Sequence, residues 1–490
     1  MLFLNQQEGE VPMTTQQDLD LLALQLGLTH RIKKRAFFST GNEVDKDRIL
    51  PSARQLEDLG VEIFATEGTS AHLNKHGISN TLLHRISEGV GSDARQMLEA
   101  GLVNLVVNVL TGEKDIDERS DARIIRNLAL EHGTPFYSDI ETAVAAIDRM
   151  AKSIERDRKR AESGSPKSMA EYFAELVHDR GGYADNHGHY DKAYLITPET
   201  LALGQRDMQE KWRLYRELKA GYTPEDLFER ILRCVEFRIS CGVTHMRTMV
   251  DADTMVELKC IEVALAVKKH IQNKYGGRIV IEIGIQPLEG VLEPGPRKWV
   301  EKACGIADYI GGLPSRDAPR LESHLDVILG MAREQKKRFS VHVDQKGVSW
   351  EDETKLLALM TMKYGLQGFG SGIHAIISRK EPYEQREIAR MCRDAGLAIE
   401  VCPGAAISMK QEEMKVQMSN SIAPVPLLHK EGVVIVLGSD NTQDPFMPFS
   451  DGDPWYETRL LADACRDYTA PQIADIVCNT SLFGGIAASH

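Results

Sequence analysis

The sequence predicts an α/β protein of two units, a small parallel α/β domain over residues 30–150 and a TIM-type (β/α)8 barrel over residues 183–490. Three observations predict it. Short apolar runs alternate with amphipathic helical stretches in both halves, the pattern of parallel strands joined by crossover helices. The run Ile154-Glu155-Arg156-Asp157-Arg158-Lys159-Arg160, followed by Gly164-Ser165-Pro166, marks a charged link over residues 151–182. In the second half, histidines and an aspartate recur where apolar runs end, the side on which barrels carry their chemistry.

In the first unit Ala36–Ser39, Val61–Ala65 and Leu102–Asn108 read as strands, and Pro135-Phe136-Tyr137 begins another. Asp121–His132 reads as an amphipathic helix stopped by Gly133. In the second unit eight apolar strands are expected. The first carries His187 and His189, the second is Thr244–Asp251 and the third Ile279–Ile285. The fourth is Ala307–Gly312, the fifth ends at His342 and the sixth near His374. Leu397–Cys402 is the seventh, and the eighth ends at Asp440. No Gly-rich dinucleotide fingerprint follows any of them, which disfavours an open doubly wound sheet.

A net charge of -13 without a basic run argues against a nucleic-acid partner. No apolar stretch approaches the roughly 18 residues of a membrane span, and no signal-peptide pattern opens the chain. The 8 cysteines, all beyond residue 233 and without CxxC spacing, read as thiols of a reducing compartment. A cytoplasmic homo-oligomer acting on a small molecule, with no membrane partner, is the expectation.

His187-Gly188-His189 puts two imidazoles two residues apart, and an extended chain points residues i and i+2 to one face. Such a pair is a natural half-site for a transition metal. The runs ending at His342, His374 and Asp440 bring further ligand types to strand ends, so these distant pieces can meet at one ion.

The second half resembles the amidohydrolase superfamily, most closely its cytosine-deaminase-like branch. The resemblance runs from Asp185 to the last residues. It rests on His187-Gly188-His189-Tyr190-Asp191-Lys192, Thr244-His245-Met246-Arg247-Thr248, Gly311-Gly312-Leu313-Pro314, Ser340-Val341-His342-Val343-Asp344 and Leu437-Gly438-Ser439-Asp440-Asn441. It implies His187, His189, His342 and Asp440 as ligands of one divalent metal ion, zinc first, with iron or manganese as alternatives. Asp440 would also move protons, and His374 would hydrogen-bond the water or the developing oxyanion. No lysine stands at the fourth-strand position that carries a bridging ligand in binuclear relatives, which favours a single metal.

Two departures from the branch bear on the substrate. The glutamate that shuttles a proton in its deaminases is here Gln345, and a glutamine orients a substrate without exchanging a proton. The branch's substrate-reading glutamine follows the third-strand proline, whereas here Leu288 follows Pro287 and Gln286 precedes it. The expected function is therefore hydrolysis of a C–N bond in a cyclic or linear amide or ureide of a small nitrogenous metabolite. Deamination of a pyrimidine-, triazine- or pterin-like ring is an alternative, and a non-catalytic metabolite sensor is another.

In the first unit, Ile63-Phe64-Ala65-Thr66-Glu67-Gly68-Thr69 reads as a strand, a turn and a helix N-terminus rich in hydroxyls, a shape that suits an anion. With Ser87-Glu88-Gly89 and Asp121-Ala122-Arg123-Ile124-Ile125-Arg126, it resembles the methylglyoxal-synthase-like domain, particularly the regulatory domain of the carbamoyl-phosphate synthetase large subunit. The resemblance implies a phosphate site at Lys33, Thr66, Thr69, Arg85, Asn108 and Thr111, hence a phosphorylated effector. Glu118 replaces the histidine of true synthases, so effector binding is expected rather than synthase activity.

Overall fold

The computed structural model describes residues 34–84, 94–99, 103–109, 116–131, 134–162, 168–205, 208–408, 422–466 and 468–484. The chain separates into compact units on either side of residue 174, with Pro12–Ala174 in one and Glu175–His490 in the other. Part of the expected link is helical, since helix Ile140–Glu162 runs into it and helix Met169–Asp179 lies inside it.

The first unit is built on one parallel sheet in the order β3-β2-β1-β4-β5. Its strands are β1 (Arg35–Thr40), β2 (Glu62–Ala65), β3 (Thr81–Leu82), β4 (Leu105–Val109) and β5 (Phe136–Tyr137). Alternation along each strand sends Phe38 and Val107 to one face and Phe37 and Val106 to the other. Ile49, Ala53 and Leu56 of helix Glu43–Asp58 cover the first face with Ile147 of helix Ile140–Glu162. Ile125 and Leu128 of helix Ile116–Glu131 cover the second. Parallel sheets need both faces buried, and these helices bury them.

The second unit holds β6 (Tyr183–Asp185), β7 (Val243–Asp251), β8 (Val280–Gln286) and β9 (Ile310–Gly312). It continues with β10 (Phe339–Val343), β11 (Gly370–His374), β12 (Ala398–Val401) and β13 (Ile435–Leu437). All neighbours pair in parallel, as β6-β7-β8 and as β9 through β13. Two bridges join these sheets edge to edge. Gly284 meets Tyr309, with Asp308 N donating to Ile283 O at 2.7 Å. Gly188 meets Asp440, with Asn186 N donating to Leu437 O and Asp440 N to His187 O, both at 2.9 Å. The eight strands thus follow one another round a (β/α)8 barrel. Close approach at the first seam needs a glycine, because a Cβ on Gly284 would lie 2.3 Å from the Tyr309 ring.

The seam between β6 and β13 is pinned by a charge inside the protein. Arg238 is fully buried, its Nε donating to Asp185 Oδ2 at 2.7 Å and its Nη2 to Ser439 Oγ at 2.7 Å and Thr442 Oγ1 at 3.0 Å. Asp185 Oδ1 accepts from Ser439 N at 2.8 Å. A buried guanidinium is tolerated when its donors are met this fully. All eight cysteines are free thiols. Among the described residues, no helix is long and apolar enough to cross a membrane.

Candidate metal centre and substrate pocket

Strand β6 stops at Asp185, and the histidine pair lies just beyond it. The bridge to Asp440, and the bond from Met249 N to Gly188 O at 2.8 Å, carry the sheet pairing on past the strand. His187, His189 and His342 each offer a nitrogen within 4.8 Å of the others. The His187 ring centre stands 4.8 Å from that of His189 and 4.9 Å from that of His342, and His374 is 5.5 Å from His342. Asp440 Oδ1 lies 3.5 Å from His187 Nε2 and 3.4 Å from His189 Nε2, and its Oδ2 lies 3.7 Å from His374 Nε2. His374 and Asp440 have φ angles of 70° and 61°, a left-handed conformation that side-chain-bearing residues adopt at a cost and that clusters at functional sites.

Two of the outer ring nitrogens are held from outside the cluster. A carbonyl only accepts, so His189 Nδ1 donates to Met249 O at 3.2 Å and His342 Nδ1 to Gly312 O at 3.4 Å. The Nε2 lone pairs are left for the centre. His187 Nδ1 lies 3.6 Å from Glu400 Oε2, while Glu400 Oε1 accepts from Ser340 Oγ at 2.7 Å and from Ser371.

Burial holds the His189 and His342 imidazoles well below their ordinary range and pushes His374 down to about 4. Burial alone would raise the Asp440 carboxyl, but the histidines, His187 first, hold it well below the usual carboxylate range. Neutral imidazoles around a carboxylate are the donor set of a borderline divalent cation. His187 Nε2, which faces Asp440, is buried without a hydrogen-bond partner, as an atom awaiting a cation should be. These residues fit a metal.

One pocket opens over the cluster, lined among others by Lys192, Trp212, Tyr215, Gln286, Gln345 and Asn441. Gln345 lines this pocket, and its Nε2 donates to Ser315 Oγ at 3.2 Å. Gln286 also reaches the pocket from its side of the proline, its Oε1 accepting from Lys192 Nζ. Lys192 pairs with Asp251 Oδ1 at 2.7 Å, and Lys219 binds both Asp251 and Asp253. The Tyr215 hydroxyl donates to Asp444, whose carboxyl burial pushes up to about 6. Sequence reasoning missed Lys192, Lys219, Tyr215 and Glu400. For Glu400 one signal existed, a charge inside the apolar run Leu397-Ala398-Ile399-Glu400-Val401.

In the first unit, Thr66 N-caps helix Glu67–Lys75, and its Oγ1 donates to Ser39 Oγ at 3.2 Å. Ser39 pairs in register with Asn108, so Thr66 and Asn108 share one end of the sheet. Thr69 is buried and its Oγ1 accepts from Thr40 N at 3.0 Å. Lys33, Arg85 and Thr111 lie outside the described residues.

The family model of the MGS-like domain matches residues 48–138. A section of the carbamoyl phosphate synthase large chain of Methanopyrus kandleri is 36% identical over 104 residues, 21% of this chain and 19% of its own length. An uncharacterized protein of Haemophilus influenzae is 31% identical over 265 residues, 53% of this chain and 94% of its own length. The N-isopropylammelide isopropyl amidohydrolase of Pseudomonas sp. strain ADP is 25% identical over 338 residues, 67% of this chain and 77% of its own. Among solved structures, the 5-methylcytosine deaminase of Klebsiella pneumoniae shares the fold with a TM-score of 0.56 at 22% identity, over 60% of this chain and 73% of that one. The chain belongs to the family of the Haemophilus influenzae protein, carries an MGS-like domain, and shares its barrel fold with the 5-methylcytosine deaminase.

Proposed function

We propose that the barrel is a mononuclear metal-dependent hydrolase that cleaves a C–N bond of a cyclic or linear amide or ureide in a small nitrogenous metabolite. The observation that carries this reading is the meeting of four histidines and one ionised aspartate at the floor of a single pocket. His187, His189, His342 and Asp440 would hold one divalent ion, zinc first, which when bound supplies Lewis acidity and an activated water. Asp440 turns Oδ1 to His187 and His189 and Oδ2 to His374. Oδ2 is thus the oxygen placed to take a proton from the attacking water and return it to the leaving nitrogen. His374 donates to the oxygen on which charge develops. Gln345 orients the substrate without exchanging a proton, and Lys192 and Asn441 present donors to its polar edge.

Gln286 in the pocket favours a second reading, loss of an amine from an aminated nitrogen ring. Gln345→Glu separates the two. Under amide hydrolysis the added negative charge beside the centre leaves turnover unchanged or lower. A gain above about tenfold in ammonia release from aminated rings, roughly 1.4 kcal/mol of barrier, would replace the first reading with the second.

For the first unit we infer a site for a phosphorylated effector at Thr66, Thr69 and Asn108, completed by Lys33, Arg85 and Thr111. Support comes from the gathering of Thr66 and Asn108 at one sheet end, beside a helix N-terminus whose free N–H groups suit an anion. Calorimetry across nucleotides and sugar phosphates should show binding that Thr66→Ala with Arg85→Ala removes. No heat from any of them would reduce this unit to an assembly module.

A further inference from the structure

A second histidine cluster lies on the first unit, one helical turn beyond Thr69. His72 sits on helix Glu67–Lys75 and His76 caps its C-terminus, with ring centres 4.7 Å apart. Asp47 reaches in from helix Glu43–Asp58, and one ligand atom each from Asp47, His72 and His76 lies within 4.8 Å of the others. His72 is only 8% exposed, and both of its ring nitrogens face carboxylates. Nδ1 is 3.1 Å from Glu43 Oε2, and Nε2 is 3.0 Å from Asp47 Oδ1. A neutral imidazole has one N–H to give. Nε2 is buried, and its contact with Asp47 lacks hydrogen-bond geometry despite the short distance. A lone pair set against a carboxylate oxygen repels it unless a cation stands between them. His76 Nδ1 donates to His72 O at 2.9 Å, which leaves the His76 Nε2 lone pair for a ligand.

We propose that Asp47, His72 through Nε2, and His76 form a second site for a divalent transition cation of the zinc type. Glu43 accepts the His72 Nδ1–H, the outer carboxylate that fixes the tautomer of a metal-binding histidine. Lys46 Nζ, 2.8 Å from the other Glu43 oxygen, holds that carboxyl below its usual range. Ligands about 2.0–2.1 Å from a tetrahedral ion stand about 3.3 Å apart, close to the 3.0 Å already found between Asp47 and His72. The i, i+4 spacing puts both histidines on one side of the helix. The cation would clamp helix Glu43–Asp58 to helix Glu67–Lys75, whose first turn carries Thr66 and Thr69. The rival account is an imidazolium at His72, which satisfies both carboxylates and has no use for His76.

The test titrates zinc into the chelator-stripped full chain against a chromophoric competing chelator. It compares the wild type with His76→Gln and with Asp47→Asn, two exposed positions, each variant's fold being checked by circular dichroism. The expected result is one equivalent of zinc per chain that each variant loses or holds at least tenfold more weakly. Being a difference between proteins, it stands whether or not the barrel takes up an ion of its own. Equal uptake at equal affinity by all three proteins overturns the proposal and leaves His72 as an imidazolium between two carboxylates.

Discussion

In the barrel, His187, His189, His342 and His374 come from three separate strand ends, and none is more than 4% exposed. On the first unit, His72 and His76 come from a single helical turn, and His76 is open to solvent. The outer nitrogens of His189 and His342 are anchored by Met249 O and Gly312 O, on two different strands, and that of His187 faces Glu400 of a third at 3.6 Å. The helical pair is anchored by Glu43 and by its own backbone. A cluster assembled from distant segments depends on everything that holds those segments in register. A local cluster depends on little beyond its ligands and its helix. Changes well outside the ligand set should therefore damage the barrel site and spare the helical one.

Asp440→Asn gives the largest effect expected. On the proposed mechanism it removes a proton carrier and a ligand together, and turnover should fall by about 10³–10⁴-fold in a steady-state assay, with the fold retained. More than a tenth of wild-type activity in this variant would break the barrel half of the comparison.

Acidity sharpens the contrast next. Burial pushes Glu457 in the barrel unit up to about 8, whereas Glu43 and Asp139 in the first unit sit below their ordinary values through bonds from Lys46 and the Thr142 N–H. A carboxyl raised in the folded state stabilises fully below its unfolded value of about 4.5, and that contribution is lost as pH rises toward 8. Between pH 5 and 8, wild type should lose on the order of 3 kcal/mol relative to Glu457→Gln in denaturant melts. Parallel curves for the two proteins would mean that Glu457 is not held neutral.

Gly438→Ala tests the support of the barrel ligands. A Cβ there would lie 2.6 Å from His187 Cβ and 3.1 Å from Cys402 Sγ. The displaced ligand should weaken metal affinity by about 10–100-fold, read by competition with a chelator, while zinc uptake at His72 and His76 is unchanged. Thr69→Val is the smallest change, removing the acceptor for Thr40 N at a cost of about 1–2 kcal/mol confined to the first unit. A loss of barrel metal in that variant would contradict the local character of the effect.

The parts legible in the sequence were those written in local pattern. The five barrel strands from Thr244 to His374 and the ligand-type residues closing several of them follow from apolar runs ending in a polar residue, as at Phe339–His342. Boundaries shifted where pairing decides them, so within the run expected from Leu102 the described residues form a strand from Leu105, where β1 provides partners through Ala36. The pairing of Lys192 with Asp251 and of Arg238 with Asp185 was hidden, because it joins residues more than 50 positions apart. The left-handed backbone of His374 and Asp440 was hidden as well, since most Asp and His residues still have negative φ and only the tertiary structure imposes it here.

The Asp185–Ser439 contact at the barrel seam joins residues 254 positions apart in the chain. During synthesis the His187–His189 half-site therefore leaves the ribosome long before its carboxylate partner exists. At about 5–20 residues per second the interval is on the order of ten seconds or more, ample for a paired imidazole to meet a free ion. With the metal site proposed above, the histidines would be loaded first and Asp440 last, so that the arrival of the eighth strand would both close the barrel and seal the ion inside it.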